Sequence, residues 1–116
     1  MLGLGPASAA CLQANNEDQV AQGRLLSARI TTAAYRLTEQ AYLLHLSTSA
    51  CLEGPDSFDQ VEKADRIHVF AIEPGLRQRL RTFVGKSVVV HGNPFGEHTA
   101  HHHAPIVMQI SKIDPL

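Results

Sequence analysis

The sequence predicts a mainly β domain: a five-stranded OB-like barrel with one helix between strands 3 and 4. Three observations predict it. Short segments of alternating or β-branched apolar residues recur along the whole chain. A single stretch, Leu76 to Val84, keeps the spacing of an amphipathic helix. That stretch follows the third of five strand segments, which is the order of an OB barrel. Closing the sheet into a barrel also removes the exposed edges that so small a domain would otherwise carry. A small α+β sandwich and a different half-open barrel are compatible with the same order.

The elements follow in turn. Residues 12–19, LQANNEDQ, read as a polar leader. From Val20 the pattern VAQGRLLSARITT is strand-like, with Leu26, Ala28 and Ile30 on one face and Gly23 where a bulge or bend belongs. Tyr35-Arg36-Leu37 and Ala41 to Ser47 continue as strand around a short polar turn at Thr38-Glu39-Gln40, and Cys51 closes the segment. Glu53 to Asp65, EGPDSFDQVEKAD, carries five acids and one lysine with turn residues at its start. It reads as a solvated connection, since its acids lack the tight spacing of a calcium loop.

Arg66 to Ile72 alternates, with Ile67, Val69 and Ala71 on one face. Glu73-Pro74-Gly75 opens the helix, where proline is tolerated in the first turn. Leu76, Leu80, Phe83 and Val84 form its apolar stripe, Arg77, Arg79 and Arg81 its wet face, and Gly85 ends it. Lys86 to His91, KSVVVH, is a strand followed by a Gly-Asn-Pro turn signal, and Ile106 to Ile113 is the last strand.

A length of 116 residues is one domain with a modest core. A formal charge of −1, four Phe, two Tyr and no Trp do not make the basic, aromatic groove of a nucleic-acid binder. No apolar run approaches the ~20 residues of a membrane span. Residues 1–10, MLGLGPASAA, are small, apolar and uncharged, with Ala7-Ser8-Ala9 in the small-x-small form of a signal-peptidase site. They read as the remnant of a secretory signal, leaving 11–116 as a single OB-like domain in the periplasm or outside the cell. Cys11 and Cys51 fit this as a disulfide, for which loop closure gives up to about 4 kcal/mol. Two unrelated buried thiols and a lipidated Cys11 are the competing readings, and against the second stands Ser8 in place of an aliphatic residue.

The chemistry concentrates in HGNPFGEHTAHHHAPIV, residues 91–107, where four of the seven histidines fall within 98–103. Imidazole is a common ligand for zinc and copper. Three consecutive histidines cannot converge on one ion. In an extended chain His101 and His103 share a face and His102 takes the other. The metal hypothesis therefore uses His98, His101 and His103, with His91 or Glu97 assisting, and zinc or copper as the cofactor. The alternatives are an internally satisfied polar network with Thr99, and a pH-sensitive or partner-contacting surface. His45 and His68 sit in strand patterns and are read as structural. Ser47, Ser49, Ser57, Ser87 and Ser111 have no nucleophile-elbow context, and no acid pair has a catalytic spacing. A metal-dependent hydrolase ranks last.

The stretch Phe83 to Ile113 resembles small exported bacterial proteins grouped as domain-of-unknown-function family 4431. The residues that carry the likeness are Gly85, Lys86, Val88, Val90, Gly92, Phe95, His98, Thr99, His101, His102, His103 and Val107. It extends more weakly to Cys11-Leu12, the Gly23 strand and YLLHLSTSAC ending at Cys51. Two positions depart from the pattern: Pro94 stands for its leucine, and Gly96, followed by Glu97, stands for its first histidine. The resemblance implies an exported β-rich domain and no reaction. The expected function is a non-enzymatic exported binding module that contacts a protein or envelope component, with a transition-metal binding protein as the alternative.

Overall fold

The computed structural model describes residues 10–116. Residues 1–9, most of the expected signal remnant, lie outside the described residues. The elements are β1 (Leu12–Gln13), β2 (Gln19–Thr32), β3 (Leu37–Glu53), β4 (Val61–Phe70), α1 (Pro74–Thr82), β5 (Ser87–Gly96) and β6 (Ile106–Pro115).

Strands β2 to β6 close on themselves. β3 pairs antiparallel with β2 and β4, β5 pairs antiparallel with β2 and β6, and a parallel β4–β6 pairing completes the ring. With α1 between β4 and β5, this is the expected mainly β, five-stranded OB-like barrel. β2 serves two neighbours. Residues 23–32 pair with β3 and residues 19–24 with β5, so the strand changes partner at Gly23. A Cβ on Gly23 would lie 2.1 Å from the His45 carbonyl oxygen, so only glycine lets the two backbones approach there.

The barrel interior is filled by Leu25, Leu44, Ile67, Val69, Val88, Val90, Ile106, Met108 and Ile113. Leu80 closes it from α1, with Leu76, Phe83 and Val84 packed beside it. Glu73 caps that helix by accepting from the Gly75 and Leu76 amides at 2.9 Å each. Arg79 leaves the wet face to donate to the Ile113 carbonyl at 2.8 Å, locking α1 to β6.

Three local expectations are corrected. Thr38-Glu39-Gln40 is not a turn: β3 runs unbroken for 17 residues. The reversal lies at the 3-10 turn Ala33–Tyr35 and Arg36, and the Thr31 and Thr38 hydroxyls pair across the strands at 2.9 Å. These residues are polar because they end an exposed hairpin. Gly92-Asn93-Pro94 is likewise strand. Beyond Gly92, β5 has left β2, and the Pro94 carbonyl accepts from the Asn15 amide on that free side at 2.9 Å. Proline therefore costs no ladder bond to β6.

The connection after β3 is shorter than the acidic run, because β4 begins at Val61. One of its acids is not solvated: Asp59 is only 1% exposed and accepts the Gly96 amide at 2.8 Å. Leu26, Ala28 and Ile30 share a face as expected, and it is the outer one, because Leu25 takes the core position.

Within the leader, Leu12–Gln13 forms a short strand parallel to Leu52–Glu53. The Cys11–Cys51 disulfide fixes it there, with a Cα separation of 4.7 Å. Among the described residues no helix is long and apolar enough to cross a membrane.

Candidate functional site: the histidine loop and the outer barrel face

Strand alternation leaves one side of β3 facing away from the core. The registers set Leu26 of β2, Leu43 of β3, His68 of β4, Val107 of β6 and Phe95 of β5 in one row across this outer surface. Its apolar members are not left to water. Ala41, Leu43, Ala104 and Val107 are buried, although they lie outside the barrel core. They are packed where the β5–β6 loop, residues 97–105, returns over β3 and β4.

The loop is held by its own turn and by two sets of side chains. His102 N–H donates to the Thr99 carbonyl at 3.2 Å, and Glu97 N–H to the Pro105 carbonyl at 3.1 Å. In the first set, the Glu39 carboxylate meets His101 Nδ1 at 2.9 Å and His103 Nε2 at 3.0 Å. The hydrogen bond from His101, then that from His103, holds the Glu39 carboxyl below its usual range. His103 also donates its backbone N–H to His68 Nδ1 at 3.2 Å and stacks on that ring with centroids 5.4 Å apart. Burial, with His103 and His102 alongside, pushes His68 down to about 4. It is therefore a neutral acceptor at physiological pH.

The second set faces the other flank. His98 N–H donates to His102 Nδ1 at 3.1 Å, and their ring centroids lie 4.8 Å apart. Phe95 touches both rings, at 5.5 and 5.3 Å, and Phe58 lies 4.7 Å from His98. Burial, then the neighbouring His98, His101 and His103, lowers the pKa of His102.

The proposed metal ligands are thus divided. His101 and His103 come together and His102 turns away from them, as alternation suggests. His98 sits with His102, however, and not with the 101/103 pair. His91 is on β5 opposite Val20 and Lys112, four residues before Phe95 and so about 13 Å along the strand. Glu97 is exposed, and the carboxylate that orients the imidazoles is Glu39. Among the described residues, no group of three or more His, Cys, Asp or Glu is disposed to hold a metal ion. Glu39 has one local signal in the sequence: it is the acid on the face that continues through Ala41, Leu43 and His45.

At Gly96 a side chain is sterically excluded. A Cβ there would fall 1.5 Å from the Phe58 carbonyl oxygen, so the Ser57–Asp59 turn occupies the space that a side chain needs.

Residues 66–114 match the family described as Domain of unknown function (DUF4431), the family that the histidine motif resembles. The match takes in the second part of β4, α1, β5, the whole histidine loop and nearly all of β6. No curated protein matches the chain.

Proposed function

We propose that this chain is a non-enzymatic binding module, exported to the periplasm or beyond, that contacts a protein or envelope component with the outer face of β2–β3. One observation carries this reading. Leu26, Ala28 and Ile30 form a half-buried apolar stripe beside the histidine loop, on a face that the barrel core does not use. OB barrels bind ligands on the face of their second and third strands, here β3 and β4, which the β2–β3 face adjoins. Two elements flank that face, the first hairpin and the loop joining the last two strands. Here those two elements are tied together through Glu39, His101 and His103, which fixes the boundary of the surface. Export is supported by the Cys11–Cys51 bridge, because disulfides persist in oxidising compartments.

Photo-crosslinking in the bacterial envelope tests the reading. A crosslinker in place of Ala28 should give one discrete adduct, and the same crosslinker in place of Arg81 on the helix should not. Ile30→Lys should abolish the adduct. The proposal fails if both positions label alike, if neither labels, or if Ile30→Lys has no effect.

A further inference from the structure

On the far flank of the histidine loop is a pocket of about 410 Å3, lined among others by Asp56, Phe58, Asp59, Asn93, Phe95 and His98. Two of its lining residues have oxygens with no partner among the described residues: Oδ2 of Asp59 and Oδ1 of Asn93. Asp59 is 1% exposed, and its other oxygen is already committed to the Gly96 amide. A buried carboxylate oxygen without a donor costs free energy, and so does a buried amide oxygen, unless something satisfies them. Both are acceptors, so the missing partner is a hydrogen-bond donor.

The surroundings specify its charge. Two aspartates line the pocket and no lysine or arginine does. Phe58 and Phe95 line the pocket beside His98, and aromatic rings attract cations. A carboxylate oxygen, an amide oxygen and aromatic walls together suit a cation that carries N–H donors on an apolar stem. We infer that this pocket binds a primary ammonium group, from a free alkylamine or from a lysine side chain. A quaternary ammonium would meet the rings but could not satisfy the oxygens. Both oxygens are buried, so the ammonium must displace a lining side chain to reach them; Phe58 borders the pocket on a three-residue turn and is 42% exposed. The site does not depend on the β2–β3 face, and either can fail without the other.

The test is a titration followed by NMR of the Phe95, His98 and His102 ring resonances at pH 7.5. The probes are n-butylammonium, Nα-acetyl-lysine N-methylamide and tetramethylammonium. n-Butylammonium should give saturable shifts with a millimolar Kd, and tetramethylammonium should bind at least tenfold more weakly. The lysine derivative binding more tightly than the alkylamine assigns the source to a protein side chain, and the reverse assigns it to a free amine. Asp59→Asn keeps the acceptor for Gly96 and should weaken n-butylammonium at least tenfold. If that variant does not fold, Asn93→Ala should still weaken it threefold or more. No saturable shift up to 100 mM, equal binding of tetramethylammonium, or unchanged affinity in the folded variants overturns the inference.

Discussion

Glu39 and His103 meet at 3.0 Å across sixty-four positions of chain, and His101 reaches the same carboxylate. A single acid near the start of β3 thereby holds the loop between the last two strands against the outer barrel wall. Glu39→Gln keeps the shape and removes the charge. It should increase opening of loop 97–105 about tenfold, the equivalent of one charge-assisted hydrogen bond. Hydrogen exchange of the His102 and His103 amides measures this, with the barrel amides unchanged.

Acid should destabilise the protein before it titrates the bulk of the carboxylates. His68 falls from 6.5 to about 4 on folding, so between those values the unfolded chain binds more protons than the folded one. Its contribution is complete above about pH 6.5 and is lost as pH falls toward 4. Glu39, lowered in the fold, acts in the same direction at still lower pH. With screening at this partly exposed site discounted, His68 should account for about 2 kcal/mol. Urea titrations across pH 4–7 read the slope, and His68→Gln should flatten it.

Reducing Cys11–Cys51, or Cys51→Ser, should cost about 4 kcal/mol by loop closure. Urea midpoints with and without reductant give the value. The Leu12–Gln13 amides should lose protection first, since the bridge anchors that strand.

Gly96→Ala should be destabilising by about 2 kcal/mol or more, because its Cβ and the Phe58 carbonyl oxygen cannot share one place. Displacement of the 57–59 turn should appear as shifts in Phe58 and Asp59, with the β2–β3 hairpin undisturbed.

Zinc and copper should bind no more tightly than about 10 μM, since His98 stands with His102 while His101 and His103 are engaged with Glu39. Calorimetry decides this. Submicromolar binding that His101→Ala abolishes would replace the network reading with a metal site.

The elements whose pattern is local were legible in the sequence. Ile67, Val69 and Ala71 alternate into the core as expected, Leu80 turns inward from the helix, and the cysteines pair. What stayed hidden depends on contacts distant along the chain. Pro94 signals a turn unless one knows that its side of β5 faces Asn15. Thr38-Glu39-Gln40 looks like a loop because hairpin ends are polar. The face that Glu39 shares with Ala41 and Leu43 marks it as an acid on an apolar strand face but does not point to imidazoles sixty-two residues away, and nothing near Asp59 indicates the Gly96 amide it accepts. Periodicity reports which face is apolar; it does not report which outward face another segment will cover.

The parallel β4–β6 pairing has a consequence for assembly order. The seat of the histidine loop is shared by β3 and β4, while the loop itself is strung between β5 and β6. Until β6 docks beside β4, the imidazoles have no wall to lie against. The Glu39 contacts therefore form after the ring of strands is shut, at the high-contact-order end of folding. Protection of the His103 amide is thus a clock for barrel closure, and a chain whose final strand has failed to dock would announce itself by rapid exchange of that amide.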